Sequence, residues 1–167
     1  PEVREHMRRR GGPPMIAMVF FDEETEEICR ELGYNLILPT DELRRRLDSK
    51  IVTTQLGNEA GAPSVPNVLG TASTYEELNA LAISNGLGTD LVVQTPYGDS
   101  GKTTFFISSE ADWRKHSADI VGEEIKVMRR INNRPVAVEA VLTRCGTIVG
   151  PFMSELIGYK NLTPARG

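Results

Sequence analysis

A short segment rich in glycine, serine, threonine and lysine separates two apolar runs near the middle of the chain. The apolar runs are 91–94 and 103–107, and the segment between them contains Ser100-Gly101-Lys102. Glycine permits backbone conformations that bring N–H groups close to an anion. The lysine adds a mobile cation, and the neighbouring hydroxyl groups add hydrogen-bond donors. This combination of residues is suited to holding a polyphosphate.

The same segment partly matches the Walker A loop, G-x-x-x-x-G-K-[ST], over Gly101, Lys102 and Thr103. The first glycine of that motif would fall at Pro96, and a Walker loop opens a helix whose N-terminus faces the phosphates. Residues 103–107 are instead β-branched and aromatic, which favours a strand. The sequence therefore predicts a β-hairpin that covers phosphates. The alternative is a plain turn whose lysine protects the sheet edge.

The overall composition is that of a globular protein and disfavours several classes. The chain has 167 residues and a net charge of −4, which argues against a general nucleic-acid binder. No apolar run approaches the ~20 residues that a membrane span needs. Cys29 and Cys145 are too few for a disulfide framework, which fits a reducing compartment. We therefore expect a cytoplasmic protein that has neither nucleic acid nor membrane as a partner.

Hydrophobic patterning divides the chain into a mostly helical first half and a strand-rich second half. Helices are predicted at 22–32, 41–47, 48–60, 74–85 and 109–116, and strands at 15–21, 34–38, 124–131, 135–142 and 147–153. The buried side of the third helix is predicted to hold Ile51, Val52, Leu56 and Ala60. Asn132-Asn133 predicts a tight turn between two of the strands. The architecture is therefore α+β with a largely antiparallel sheet.

The order of these parts resembles the ATP-grasp superfamily, especially its biotin-carboxylase-like and carboxylate–amine ligase branches. Asp48-Ser49-Lys50 opens a helix, Val65-Pro66 begins an extended passage, and a strand leads into the glycine-rich hairpin. A further helix and the Val-x-Val-Glu-x-Val strand at 136–141 continue the likeness, which covers roughly 36–152. The resemblance implies an ATP-grasp-like fold, in which a small helical lobe precedes an antiparallel sheet lobe that carries the phosphate hairpin.

The resemblance also implies a division of the chain into three segments. Residues 1–40 would be an N-terminal arm and the end of a preceding domain. Residues 41–88 would form a helical subdomain, and 89–167 a truncated β-rich lobe.

A nucleotide site for ATP and Mg²⁺ follows from the same resemblance. Lys50 matches the first phosphate-contacting lysine of the family, and Glu139 falls near an acidic position of its nucleotide pocket. The flexible loop over the phosphates would be Gly98, Asp99, Ser100, Gly101 and Lys102. The hinge that presents backbone groups to adenine would be Met128, Arg129, Arg130 and Ile131.

Two departures from the family pattern affect these expectations. The family usually places a second lysine at the end of the strand before the hairpin, where this chain has Gln94. An amide can hydrogen-bond a phosphate oxygen but supplies no charge, so we expect Lys102 to substitute from the hairpin. The acidic Mg²⁺ ligands are expected beyond Gly167, with Glu155 as a candidate within the chain.

The resemblance implies the ATP-binding part of a ligase that activates a carboxylate as an acylphosphate. An amine or similar nucleophile would then attack, so the expected partners are a small-molecule carboxylate and an amine, with an oligomer possible. We expect the chain to be a fragment that does not turn over alone. Two alternatives stay open: a non-catalytic nucleotide-binding module, and an α+β interaction domain whose hairpin is only a turn.

Overall fold

The structure is a computed structural model, and it describes residues 5–6, 9–12, 14–18, 21–98, 101–132 and 136–154. The helices are α1 (Glu23–Glu31), α2 (Asp41–Asp48), α3 (Lys50–Glu59), α4 (Tyr75–Ser84) and α5 (Glu110–Ile120). The strands are β1 (Met15–Ile16), β2 (Asn35–Leu36), β3 (Asn67–Gly70), β4 (Leu91–Gln94), β5 (Thr104–Ile107), β6 (Ile125–Arg129), β7 (Val136–Ala137), β8 (Ala140–Thr143), β9 (Gly146–Val149) and β10 (Met153–Ser154).

A four-stranded antiparallel sheet with the strand order β3-β6-β4-β5 positions most of the candidate site. The predicted pairing of the two apolar runs is confirmed, because β4 and β5 are antiparallel neighbours. Strand β6 lies between β4 and β3 and pairs with both. The two-stranded pairs β1-β2, β7-β10 and β8-β9 are separate sheets. The predicted α+β architecture with a largely antiparallel sheet is confirmed.

One face of this sheet carries the core. Val93 is fully buried and lies opposite Phe105 on β5 and Val127 on β6. Helices α4 and α5 contribute Leu78 and Trp113 to the same cluster. Burying such a side chain contributes about 1.5–3 kcal/mol, so this face supplies most of the stability. Trp113 and the Phe105-Phe106 pair were expected in the core; Trp113 and Phe105 are buried there, whereas Phe106 lies half-buried on the other face of the sheet.

On β4, β5 and β6 the opposite face is half-buried and has a polar end and an apolar end, whereas on β3 Leu69 lies opposite Lys126 and Asn67 opposite Met128. Alternation along the strands places Gln94, Thr104 and Lys126 side by side at the end of β4. Two residues further along each strand the side chains are apolar: Val92, Phe106 and Met128. The polar end adjoins the start of α3, whose first amide donates to the carbonyl oxygen of Pro96.

Side-chain caps fix where the helices begin, as the sequence predicted. Thr74 accepts a hydrogen bond at 3.2 Å from the amide of Glu77, and the Glu77 carboxylate accepts one at 2.7 Å from the amide of Ser73. Ser49 caps α3 by accepting from the amide of Val52. A capping side chain is worth about 0.5–2 kcal/mol, because it satisfies amides that the helix leaves unpaired.

The predicted tight turn at Asn132-Asn133 is wrong in its consequence. Both edges of β6 are already paired, with β3 and β4, so no edge is left for the strand that follows. That strand is also divided into β7 and β8, and β7 pairs with β10. Asn133 itself lies outside the described residues. The sequence predicted a local hairpin, whereas the register of the sheet demanded pairing with strands more distant in the chain.

Other boundaries also differ from the predictions. In α3 the buried positions are Ile51 and Thr54, one turn apart, whereas Leu56 and Ala60 are exposed. Helix α5 continues to Ile120, which is fully buried in the core and extends the apolar face beyond the predicted end. Strands β1, β2 and β9 are shorter than predicted.

The predicted division at 41–88 and 89–167 stays a prediction. Strand β3 comes from the first of these segments and pairs with β6 of the second. Within the part of the chain that the structure describes, no helix is long and apolar enough to cross a membrane.

Candidate functional site

Lys50 reaches the segment that follows β4, although 48 residues separate the two in sequence. Its ammonium donates a hydrogen bond of 2.7 Å to the carbonyl oxygen of Gly98 and lies 3.4 Å from Oγ1 of Thr103. An ammonium carries three N–H donors, so these two contacts leave one for an anion. The structure thus brings together the lysine and the first glycine of the predicted phosphate loop.

The start of α3 carries an unusual charge for a helix N-terminus. Helices α1, α2, α4 and α5 each have acidic residues in their first turn, whereas α3 has none and begins with Lys50. The positive end of the helix dipole disfavours a cation there. A bound anion would offset this repulsion. Because the amides of Lys50 and Val52 already donate to Pro96 and Ser49, the amide of Ile51 is the first-turn donor that could contact an anion.

Gly98 occupies a position that only glycine fits. Its φ of 140° is in a region that other residues rarely adopt. A Cβ placed there would lie 2.5 Å from Oγ1 of Thr103 and would overlap its Cγ2. Gly101 also has a positive φ, of 76°, and its carbonyl accepts a hydrogen bond from the amide of Thr104. Asp99 and Ser100, the other predicted loop residues before Lys102, lie outside the described residues.

Gln94 sits at the polar end of the half-buried face. Its Nε2 donates to Oγ1 of Thr104 at 3.0 Å, so the amide is held against β5. On its other side Gln94 lies directly opposite Lys126 of β6. The amide can still offer its second N–H, but the position itself supplies no charge.

Lys126 is the residue that sequence reasoning missed. It is half-buried, and desolvation lowers its pKa below the ordinary lysine value. Within the described ranges no hydrogen bond or ion pair involves its ammonium. The sequence feature that could have identified it is a lysine between two buried residues, Ile125 and Val127. From Ile125 to Met128 it is the one residue of β6 that is not apolar. A charged residue in such a strand has to be explained by its neighbours in the sheet.

Lys102 is exposed, and among the described residues its side chain has no hydrogen bond or ion pair. It lies between Gly101 and Thr103, close in sequence to the contact with Lys50. Lys102 therefore has no contact with the other candidate site residues, whereas Lys50 contacts Gly98 and Gln94 contacts Thr104.

The predicted hinge residues hold the far end of β6. The amide of Arg129 donates to the carbonyl of Pro66, and the amide of Arg130 donates to the carbonyl of Asp90 at 2.9 Å. These two amides are therefore occupied within the protein. Ile131 is 45% exposed, and in the part that the structure describes its amide has no hydrogen-bond partner. Of the predicted hinge amides beyond β6, that of Ile131 is the one available to a ligand.

The hinge side chains have structural contacts of their own. The guanidinium of Arg129 donates to the carbonyl oxygens of Leu87 and Gly86, which anchors the turn after α4. The Arg130 guanidinium lies 5.0 Å from the centre of the Phe106 ring. Met128 belongs to the apolar end of the half-buried face, opposite Val92.

Of the two predicted acidic residues, the structure describes Glu139, and it does not contact Lys50, Gln94 or Lys126. Glu139 is exposed between β7 and β8, and its carbonyl accepts a hydrogen bond of 2.8 Å from the amide of Gly150. Among the described residues its carboxylate has no contact with Lys50 or Gln94. Glu155 lies outside the described residues. No group of three or more His, Cys, Asp or Glu side chains in the described ranges could hold a metal ion.

A cleft of about 180 Å³ separates α3 from β6. Apart from glycine and alanine, the described residues that line it are polar, and Lys126 is the charged one among them. They are Thr53, Thr54, Gly57, Asn58, Ala62, Ser64 and Lys126. A larger depression of about 610 Å³ lies between α1 and α2, but none of the candidate site residues lines it.

Comparison with known proteins gives a fold. No family model matches the chain, and no curated protein matches it in sequence. Among solved structures, carboxyaminoimidazole ribonucleotide synthase from Aspergillus clavatus in complex with ATP matches with a TM-score of 0.66 at 16% identity. That match covers 93% of this chain and 41% of the enzyme.

Two further solved structures show the same likeness. D-alanyl-alanine synthetase A from Vibrio cholerae has a TM-score of 0.65 at 11% identity, covering 91% of this chain and 48% of that one. The biotin carboxylase domain of Hydrogenobacter thermophilus 2-oxoglutarate carboxylase, in complex with MgADP, ADP and bicarbonate, has a TM-score of 0.63 at 16% identity, covering 97% and 38%. The chain spans less than half the length of each of these three enzymes. The chain has the α+β fold of a part of these three enzymes, and the predicted ATP-grasp-like fold is confirmed.

Proposed function

We propose that the half-buried face binds ATP, with the phosphates at its polar end and the adenine at its apolar end. The observation that carries the proposal is the contact of the Lys50 ammonium with the Gly98 carbonyl and Thr103. It joins a cation, a helix N-terminus and a glycine with no room for a side chain at one point. These are the elements from which proteins build phosphate sites.

The polar end has the donors that a polyphosphate requires. Lys50 has one N–H to spare, Gln94 has its second amide N–H, and Lys126 adds a charge from β6. Because the site is shielded on one side by the sheet, these charges act more strongly than they would in bulk water. The carboxylates of the described residues do not contact Lys50, Gln94 or Lys126, so none of these carboxylates repels a phosphate there.

The apolar end suits a planar base. Val92, Phe106 and Met128 form a half-buried apolar surface next to the end of β6, where the Ile131 amide is available. An apolar surface with one convergent backbone donor is typical of nucleobase pockets. The four predicted hinge positions thereby acquire different roles, with Ile131 facing the ligand and the two arginines holding the strand.

In an enzyme of this fold the bound ATP would activate a small-molecule carboxylate as an acylphosphate for an amine or similar nucleophile. The A. clavatus, V. cholerae and H. thermophilus proteins are all synthases or carboxylases, which supports this class for the whole protein to which the chain would contribute. The role of this chain's residues would be to bind and neutralise the phosphates in a fixed position. The described residues offer no cluster fit for Mg²⁺, so we assign no step to the metal, and Glu155 stays a candidate.

A second function, nucleotide binding without catalysis, is favoured by one observation. Gln94 replaces the lysine that the family places at this strand end, and its amide is tied to Thr104. A site that has lost a charge would bind ATP more weakly. Magnesium dependence separates the two functions, since a ligase should bind MgATP much better than free ATP and a binding module should not.

Calorimetric titration of the chain with ATP and with adenosine tests the proposal. We expect ATP to bind more tightly, and Lys50→Met to weaken ATP binding by about 10- to 100-fold while adenosine is unaffected, as for the loss of one charge-assisted contact. Lys115→Met is the matched control, because Lys115 is an exposed lysine on α5. Failure of the unaltered chain to bind ATP, or equal losses for both ligands, would contradict the proposal.

A further inference from the structure

We propose that Lys126 supplies, from β6, the second positive charge of the phosphate site that Gln94 does not supply from β4. The inference rests on the proposed function and adds a phosphate-binding residue to it. The ligand group is the polyphosphate of a nucleotide.

The register of the sheet puts the two side chains in equivalent places. Gln94 and Lys126 are directly opposite each other in the antiparallel pair of β4 and β6. Directly opposite residues project from the same face with their Cβ atoms only about 4.5–5.5 Å apart. The long, flexible stem of a lysine can cover that distance, so its ammonium can reach a group placed over Gln94.

Helix α3 brings Lys50 to the same side. Thr53, Thr54 and Gly57 lie three, four and seven residues after Lys50, so they share its side of the helix. These three residues line the cleft of about 180 Å³ together with Lys126. Lys126 therefore faces the side of α3 on which Lys50 lies, although Lys50 itself does not line the cleft and contacts Gly98 instead.

The surroundings of Lys126 leave its charge without compensation. Among the described residues, no titratable group besides Lys126 lines the cleft, and no hydrogen bond or ion pair reaches its ammonium. Burial accordingly lowers the pKa of Lys126. A partly desolvated cation without a partner is costly to fold, and a bound phosphate would remove that cost.

Lys126 is better placed for this role than Lys102, which the sequence suggested as the substitute. Lys102 is exposed, whereas Lys126 is half-buried beside Gln94. A charge held in a partly desolvated position interacts more strongly with a phosphate than an exposed one that salt can screen.

The test compares Lys126→Met with the Lys115→Met control by calorimetry against ATP and adenosine. We expect Lys126→Met to weaken ATP binding by about 10-fold or more without affecting adenosine, in line with one charge-assisted contact. Adding Gln94→Lys to Lys126→Met should restore most of the lost ATP affinity, because it returns a cation to the opposite strand position. A Lys126→Met variant that binds ATP like the unaltered chain would overturn the inference and leave the proposed function standing. An unaltered chain that does not bind ATP would overturn both.

A measurement on the unaltered chain covers the case in which Lys126→Met does not fold. Lysines are acetylated with acetic anhydride, and the modified positions are quantified by mass spectrometry. Saturating inorganic tripolyphosphate should lower the acetylation of Lys126 by about 5-fold or more while that of Lys115 stays the same. A phosphate contact shields the amine and favours its protonated form, which does not react. Equal labelling of Lys126 with and without tripolyphosphate, under conditions in which ATP binds, would refute the role.

Discussion

Replacing Gly98 by alanine tests the close approach of Gly98 to the Thr103 side chain in the proposed phosphate loop. The new Cβ would lie 2.5 Å from Oγ1 of Thr103 and overlap its Cγ2, and the backbone would have to keep a φ of 140°. A non-glycine residue in such a conformation costs about 1–3 kcal/mol. Forcing an extra methyl group into a packed position costs typically about 1–3 kcal/mol more. We therefore expect Gly98→Ala to lower the free energy of unfolding by about 2–6 kcal/mol.

Gly146 provides a matched control for the backbone contribution. Its φ of 133° is close to that of Gly98, but a Cβ there would meet no atom within 4 Å. Gly146→Ala should therefore cost only the conformational strain, about 1–3 kcal/mol. The difference between the two variants isolates the steric contact with Thr103.

Urea denaturation followed by circular dichroism gives both free energies. Thr103→Ala in the Gly98→Ala background should recover part of the loss, because it removes the two nearest atoms and leaves only the Thr103 Cβ, at 3.0 Å. Coupling of about 0.5–3 kcal/mol is typical of residues in contact. If Gly98→Ala costs no more than Gly146→Ala, or if the two substitutions at the contact are additive, the close approach does not constrain this segment.

Three further predictions concern other parts of the molecule. Lys102→Ala should weaken ATP binding by only about fivefold or less. The loss should vanish at high salt, because salt screens an exposed charge. A loss of affinity that does not depend on salt, measured by calorimetry, would show that Lys102 makes a desolvated contact instead. Gly57→Ala should raise the free energy of unfolding by about 0.5–1 kcal/mol, since Gly57 lies within α3 and its Cβ would meet nothing; a loss in urea denaturation would show that the cleft has no room for a methyl group. Hydrogen bonds from Ser109 and Ser108 hold the pKa of Asp112 below its ordinary value, so its contribution to stability is present above that ordinary value and is lost as the pH falls through the lower folded-state pKa. Asp112→Asn should flatten the acid side of the stability curve measured by urea denaturation, and an unchanged slope there would contradict this assignment.

The local part of the fold could be predicted because local chemistry decides it. Asp22, Thr74 and Ser109 cap helices at the first residues of the predicted helices, and Ser49 caps α3 one residue after its predicted start, since a side-chain acceptor beside unpaired amides acts over three residues. The pairing of β4 with β5 followed for the same reason, as both strands flank one short connection.

The non-local part could not be predicted in the same way. The sequence predicted that β6 would turn back on the next strand, but β6 has β3 and β4 on its edges. Which strands pair with β6 depends on how the connections through α4 and α5 place β3, β4 and β5 in the sheet. The residues near Asn132 carry no information about those connections. On α3 the burial of Ile51 was predicted, whereas that of Thr54 was missed; α3 also contacts β6, which is far away in sequence.

The same distinction explains why the candidate site was only partly found. Lys50 and Gln94 were identified by their positions along the chain, and the structure brings the first to Gly98 and leaves the second without charge. Lys126 could not be found from a linear motif, since its significance lies across the strand pair. In an antiparallel sheet, opposite positions on two strands occupy almost the same place relative to a ligand over that face. A binding site requires a charge at that place, and either of the two strands can supply it. A lysine on β6 can therefore replace a lysine on β4 and give the proposed phosphate site a similar electrostatic field.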